Sequence, residues 1–272
     1  MITEPDGLPP LLLVGGGRMG GAMLAGWRER GFNDVVVVDP SPEAAGLAGP
    51  NVTVVAAAPD IPVGFVPSAV VLAVKPQMAA EVLTAYARFA GNAVFISIMA
   101  GKTLHAIGGM LGVKAALVRA MPNTPAAVRQ GITVAVAGAQ VSPHQKALAN
   151  DLLAATGQIT WVEDEALLDP VTAISGGGPA YVFLLTELLE KAGVDQGLPW
   201  ELARQLARQT IIGSAALLAA SEEDAAKLRI AVTSPNGTTE RALAVLRADD
   251  AWPKSFAQAI QAATERSREL SG

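Results

Sequence analysis

Apolar residues follow two rhythms along this chain. Up to about residue 162, short unbroken apolar runs alternate with stretches whose apolar positions recur at i, i+3 and i+4. The runs read as strands covered on both faces, and the 3.6-residue rhythm reads as helices. Leu11–Val14 predicts a first strand. Met19, Ala22, Met23, Gly26 and Trp27 predict a helix of about three turns that ends at Gly31. The four valines of Val35–Val38 predict a second strand, Val52–Val55 a third, and 69–74 a fourth. Further strands are expected at 93–98, 115–118, 132–136 and 159–162. Helices are expected at 41–48 with Ser41 as cap, and at 77–89, 103–111 and 142–156. This alternation predicts a doubly wound parallel sheet.

After Glu163 the strand rhythm stops. Helices are expected at 165–175, 180–192, 199–220, 222–232, 238–247 and 252–270. The change of period places a boundary near 163–166, dividing the chain into 1–164 and 165–272. The helical part is rich in alanine, and stretches such as Ile211, Ile212, Ala215, Ala216, Leu217, Leu218 and Ala219 are apolar round most of the helix. Such helices need burial, and a subunit interface is where they would find it. A homodimer at least is expected.

Composition narrows the picture. Of 272 residues 51% are hydrophobic and 17% charged, enough for packed cores in one large domain or two smaller ones. Aromatics are only 4%, which favours helices lying close on a parallel sheet. A net charge of −5 argues against a nucleic-acid partner, which needs a basic face. The absence of cysteine excludes disulfides and thiolate chemistry and fits a reducing cytoplasm. The opening residues MITEPDGLPP lack the basic start of a signal peptide. No apolar run is long enough for a membrane span, and the uncharged stretch 170–186 is broken by Gly176, Gly177, Gly178 and Pro179. His105 and His144 are isolated, so no metal site is expected. No serine-hydrolase signature occurs either.

Gly15, Gly17 and Gly20 stand at the G-x-G-x-x-G spacing between the first strand and its helix. That turn lets backbone approach a pyrophosphate and aims helix N–H groups at it, although glycine clusters also form plain turns. Asp39 closes the second strand about 20 residues later, where an acid meets the adenosine ribose of a dinucleotide. It reads equally as a turn-forming Asp in D-P-S-P. Lys75 follows the fourth strand at the carboxyl edge of the sheet, as ligand contact or as solvated cap. Arg119-Ala-Met-Pro-Asn-Thr-Pro125 is a rigid polar loop suited to positioning a ligand or simply to connecting strands. Ser234-Pro-Asn-Gly-Thr-Thr239 is a tight turn opening a helix. Its free N–H groups and two hydroxyls would hold a carboxylate, or Glu240 would close it as a structural cap.

Taken together, VGGGRMGGAML, LAVKPQ, RAMPNTPA, ISGGGPAYVF, GLPWELA and LRIAVTSPNGTTERAL resemble one family, the pyrroline-5-carboxylate reductases, in the family's own order over residues 11–268. The resemblance implies a Rossmann-like domain followed by an all-helical domain for dimerisation and substrate binding. It implies NADPH- or NADH-dependent reduction of the C=N bond of 1-pyrroline-5-carboxylate to L-proline, without a metal. Cofactor-binding positions are then Gly15, Gly16, Gly17, Arg18, Met19 and Gly20 for the pyrophosphate, and Asp39 and Ser41 for the ribose. Ala73, Val74, Lys75, Pro76, Met99, Ala100 and Asn123 line the rest of the cofactor. Ser234, Gly237, Thr238 and Thr239 hold the substrate carboxylate, with the Thr239 hydroxyl, the catalytic group, set for the ring nitrogen. Glu222, or Glu223 beside it, matches an acid near the substrate. A dimer, or a decamer built from dimers, and an active site combining two subunits are implied as well. The chain departs from the family at Arg18, where Asn is common, at Met99 and Lys102, and at Asn236, where glycine is usual. Asp39 should repel a 2′-phosphate, so NADH is expected to serve at least as well as NADPH.

Two other readings share the glycine loop. A β-hydroxyacid dehydrogenase would need a catalytic lysine on a long helix of the second domain, where Lys191 stands without the expected glycine-rich context. A non-enzymatic dinucleotide sensor has no reason to keep a turn with two threonines.

Overall fold

The computed structural model describes residues 8–32, 34–112 and 114–271. The N-terminal stretch considered for a signal peptide lies, up to Gly7, outside them. The chain forms two compact units, Met1–Gly176 with Ala263–Gly272, and Gly177–Ala262.

The first unit is built on eight strands in the order β3-β2-β1-β4-β5-β6-β7-β8. They are β1 Leu11–Val14, β2 Val35–Val38, β3 Val52–Val55, β4 Ala69–Leu72, β5 Val94–Ser97, β6 Ala116–Met121, β7 Gly131–Ala137 and β8 Gly157–Val162. Helices α1 Arg18–Glu29, α2 Ala79–Val82, α3 Leu104–Leu111, α4 Pro143–Ala154 and α5 Leu168–Val171 belong to the same unit. Strand residues alternate between two cores. Leu11 and Leu13 join Met23, Leu24, Trp27 and Leu152 on the face of α1 and α4. Leu12 and Val14 join Leu83, Tyr86, Ile107 and Leu111 on the other. Burial on both sides is why these strands read as unbroken apolar runs rather than alternating ones.

The sheet is mostly parallel. β6 and β7 run antiparallel, with Val118 opposite Ala137 and Met121 opposite Val134. The doubly wound parallel sheet expected from the sequence is present, with this one antiparallel pair. Only a short 3-10 turn, Thr124–Val128, joins these strands. A parallel partner needs a long crossover, so the chain doubles back instead.

Three expected helices are also less regular. The stretch 41–48 is a 3-10 segment, Pro42–Leu47, and Ser41 makes no side-chain cap bond. The stretch 77–89 contains a short α2 followed by a 3-10 segment, Leu83–Phe89. Its buried residues Leu83, Tyr86 and Phe89 repeat every three positions, the period of a 3-10 helix. The stretch 165–175 starts as 3-10, becomes α5 and ends in a π turn, Thr172–Gly176. Pro170 has no N–H to donate there, and the Thr172 and Ser175 hydroxyls bond back to Leu168 and Val171 carbonyls.

The second unit is helical: α6 Gly178–Asp195, α7 Trp200–Ala220, α8 Ala225–Ala231, α9 Thr238–Leu246 and the larger part of α10 Ala251–Ser271. In α7 only Ala203 and Ala207 are buried, and α6, α8 and α9 bury no residue. Phe183, Leu188, Ile212, Leu217 and Val245 are all more than half exposed. Tyr181, Leu185, Leu189, Trp252, Phe256 and Ile260 line an apolar groove of about 620 Å³. Helices apolar round much of their circumference are thus present with that surface uncovered in a single chain. No helix among the described residues is long and apolar enough to cross a membrane.

Candidate functional site

The order of the sheet reverses between β1 and β4, which lie side by side although two strands separate them in the chain. In open α/β sheets the crevice at the carboxyl ends of such strands is where ligands bind. Gly15 follows β1 and Ala73 follows β4, so the glycine loop and the residues Ala73, Val74, Lys75 and Pro76 meet there.

Each glycine of the loop has its own physical reason. Gly15 has φ +101, and a Cβ on it would lie 2.6 Å from the Ala73 carbonyl oxygen. Only glycine takes that turn against β4. A Cβ on Gly20 would fall 2.1 Å from the Gly15 carbonyl oxygen, so the close approach of α1 to the loop needs glycine too. A Cβ on Gly16 would meet the Leu47 side chain at 2.6 Å. Gly17 differs from these: nothing lies within 4 Å of its ideal Cβ. Packing does not require glycine there, and the backbone is open to an approaching group. Gly17 is also the N-cap of α1 and offers no side-chain cap, leaving the first N–H groups of the helix for another acceptor. Arg18 opens α1, and the first turn holds no acid. A cation at the positive end of a helix gains from a bound anion.

Asp39 is tied to this loop. Its Oδ2 accepts the Gly16 N–H at 2.6 Å and its Oδ1 accepts the Ser41 N–H at 2.8 Å. Partial burial pushes the carboxyl up, but the Ser41 and Gly16 N–H groups outweigh it and hold Asp39 below the usual carboxylate range. The group is therefore a carboxylate at neutral pH. Ser41 is the N-cap of a 3-10 segment without a side-chain cap bond; its N–H and its hydroxyl both face Asp39.

The remaining cofactor-side residues divide. Lys75 is exposed and opens a 3-10 turn at Pro76. The Met99 side chain is buried in the core around Leu72 and Phe95, and its N–H donates to Ser97 Oγ at 3.3 Å. Ala100 beside it is partly exposed. The Asn123 Oδ1 accepts the Ile132 N–H at 2.9 Å, so this side chain fixes the loop between β6 and β7.

In the helical unit the turn 234–237 closes with the Gly237 N–H donating to the Ser234 carbonyl at 3.0 Å. Pro235 fixes the first corner, and Asn236 takes φ +59 at the second, the left-handed position that Asn tolerates after glycine. Asn236 therefore does the work of the glycine it replaces. The Asn236 N–H donates to the Glu240 carboxylate at 2.7 Å. Gly237 is the N-cap of α9 and makes no side-chain cap bond. Glu240 thus closes the turn while leaving the start of α9, with the Thr238 and Thr239 hydroxyls, exposed. Glu222 is exposed between α7 and α8, where the Glu223 N–H donates to the Ser221 hydroxyl at 3.1 Å.

Sequence reasoning missed a partly buried ion pair. Arg119 Nη1 lies 2.9 Å from Glu165 Oε1, and the same oxygen accepts the Leu104 N–H at 2.8 Å. An arginine inside an apolar strand was the available signal, since such a charge needs a partner. No cluster of three or more His, Asp or Glu able to hold a metal occurs among the described residues.

Comparison with known proteins gives one direction. A family model for pyrroline-5-carboxylate reductase dimerisation matches residues 165–270, and one for NADP oxidoreductase, coenzyme F420-dependent, matches residues 11–101. The pyrroline-5-carboxylate reductase of Pseudomonas aeruginosa is 39% identical over 274 residues, covering 96% of this chain and 97% of that one. The solved structure of such a reductase from Coxiella burnetii aligns with a TM-score of 0.88 at 33% identity, over 97% of this chain and 99% of the other. The Plasmodium falciparum pyrroline carboxylate reductase with NADP bound aligns at 0.84 and 29% identity, over 97% and 98%.

Proposed function

Since the chain belongs to the pyrroline-5-carboxylate reductase family, and so reduces the C=N bond of 1-pyrroline-5-carboxylate to L-proline with a nicotinamide cofactor, we propose how its residues divide that work. The observation that carries the reading is the contrast among the loop glycines. Gly15 and Gly20 are glycine for packing against main chain, Gly16 meets only the tip of the Leu47 side chain, and Gly17 is open toward a ligand. The cradle fits a dinucleotide pyrophosphate.

On this reading the N–H groups at Gly17, Arg18 and Met19 hold the pyrophosphate, and Arg18 adds charge. Asp39 and Ser41 take the ribose. Ala73, Val74, Lys75 and Pro76, the Met99 main chain, Ala100 and Asn123 line the nicotinamide side. When bound, the cofactor supplies the hydride for the imine carbon. The open start of α9, from Ser234 through Gly237 and Thr238, grips the substrate carboxylate. The Thr239 hydroxyl hydrogen-bonds the ring nitrogen, which ends the reaction protonated. Glu222 lies on the substrate side. Residues 1–164 serve cofactor binding and residues 165–272 serve dimerisation and substrate binding.

Asp39 supports a lean toward NADH. Its carboxylate is kept ionised, and the 2′-phosphate of NADPH would meet like charge there. The uncovered helices of the second unit support a homodimer, with stacking into a decamer as a further step that sedimentation would reveal. We place the reaction in the cytoplasm, where the lack of cysteine is unremarkable. The deciding experiment is a spectrophotometric assay with pyrroline-5-carboxylate and each reduced cofactor. Asp39→Ser should raise the kcat/KM ratio of NADPH to NADH at least about tenfold, the relief of roughly one like-charge contact. An unchanged ratio removes Asp39 from the ribose site.

A further inference from the structure

Gly101 follows Met99 and Ala100 directly and has a left-handed backbone, φ +70. An ideal Cβ on it would lie 2.9 Å from both the Leu270 Cβ and the Leu270 carbonyl oxygen. Real Cβ atoms do not come that close, so main chain at Gly101 is pressed against main chain at the end of α10. Both stretches belong to the same compact unit, which takes in the end of α10 from Ala263 onward.

That end is anchored. The Ser267 hydroxyl donates to Asp169 Oδ1 at 2.7 Å, and both residues are buried. Thr264, one turn earlier, is buried as well. A buried hydroxyl–carboxylate bond is strong, and breaking it leaves an expensive acceptor. The far side of the loop is held too. Leu104, just past it, donates its N–H to Glu165, which is paired with buried Arg119. Between these grips Met99 is buried in the core and Ala100 beside it stays partly exposed.

We propose that the end of α10, through Leu270 and Ser267, is a positioning element for the cofactor loop at Met99, Ala100 and Gly101. It sets affinity for the reduced nicotinamide cofactor without touching the substrate. Leu270 occupies the space into which Gly101 would otherwise relax, and the Ser267–Asp169 bond keeps Leu270 in register. The inference rests on the reading of Met99 and Ala100 as cofactor-lining.

The test removes residues 270–272 from the otherwise complete chain and measures the Kd of NADH and NADPH by fluorescence, with no imine present. The expected result is a rise of about fivefold or more, the scale of one lost hydrogen bond. At saturating cofactor, kcat stays within about twofold and the KM for the imine does not move. Ser267→Ala should shift Kd in the same direction by less, and Ser267→Thr, which keeps the hydroxyl, should restore it. If the shortened chain does not fold, the Ser267→Ala and Ser267→Thr pair decides. A folded variant with unchanged Kd overturns the proposal, as does a loss confined to kcat or to the imine KM. A wild-type chain that binds reduced cofactor but leaves the imine unreduced sinks the reductase reading, while the Kd comparison still decides this inference. A wild-type chain that binds neither cofactor overturns both.

Discussion

Two pairs of helices in this protein begin in opposite ways. α3 and α4 start on Thr103 and Ser142, whose hydroxyl oxygens accept the N–H groups of Ala106 and Gln145 at 3.1 and 3.3 Å. α1 and α9 start on Gly17 and Gly237, with no side-chain cap at all. The first pair satisfies its own end and needs nothing further. The second leaves its donors unfilled, at a cost to the helix that a bound anion reverses. α6 also begins at a glycine, but Gly177 is itself helical, φ −80 and ψ −22, and continues the π turn before it. No free end is presented there. α7 and α8 also start without a side-chain cap bond, on Pro199 and Asp224. The two starts on an extended glycine are those that the proposed function assigns to anions, the cofactor pyrophosphate and the substrate carboxylate.

The contrast breaks first at the loop before α1. Gly15→Ala forces a Cβ into the Ala73 carbonyl at a backbone angle that L-residues avoid. Cofactor Kd should rise at least about a hundredfold, and the melting temperature should fall by several degrees. Gly17→Ala is the informative partner. Its Cβ has open space, so the melting temperature should fall only by about a degree or two, the cost of alanine at an N-cap and less than for Gly15→Ala. The cofactor should nevertheless bind about ten to a hundred times more weakly, the scale of one lost charge-assisted bond. Equal effects of the two variants on stability would show that Gly17 is there for packing, and the comparison would fail.

Much of this was legible beforehand, for reasons that differ by element. The valine run of β2 and the glycine spacing after β1 are local patterns, and both appear where they were expected. The direction of β7 was not legible, because an apolar run has no polarity; only the shortness of the loop from Pro122 to Gln130 hinted at a reversal. The repeat of Leu83, Tyr86 and Phe89 fits a period of 3 nearly as well as 3.6, so the 3-10 segment passed for an α-helix. For the site, residue types were readable and orientations were not. Met99 sends its side chain into the core, and Asn123 spends its carbonyl oxygen on Ile132. Arg119 and Glu165, and Gly101 and Leu270, meet only through the fold. The rhythm of α10 says that it has an apolar face, not which surface that face meets.

The comparison sharpens at α9. If the bare start of that helix holds a carboxylate, the hydroxyl at its second position is close to the reacting ring. Thr239→Ala should lower turnover of pyrroline-5-carboxylate at least about tenfold, the lower end of what one transition-state hydrogen bond supplies. The side chain is exposed, so stability should hardly change. Thr239→Ser, which keeps the hydroxyl, should recover most of the rate. Wild-type kinetics in the alanine variant would leave α9 as an ordinary helix with a glycine start.

The smallest effect belongs to the capped helices, and it closes the comparison from the other side. Ser142 and Gln145 form a reciprocal box, with the Ser142 N–H donating back to Gln145 Oε1 at 3.0 Å. Ser142→Ala removes one half of it and should destabilise the fold by about 1 kcal/mol, a melting shift of a few degrees. Activity and both KM values should not move, because this start already has its acceptor and has no ligand to lose. Ser142→Gly should cost less still, since glycine leaves the end open to water. That substitution gives α4 the same bare start as α1 and α9. If a glycine start alone made an anion site, this variant would gain phosphate affinity at α4. The expectation is that it gains none, because α4 lacks what surrounds the others: an arginine at the first helical position beside an anchored glycine loop, or a proline turn closed by Glu240.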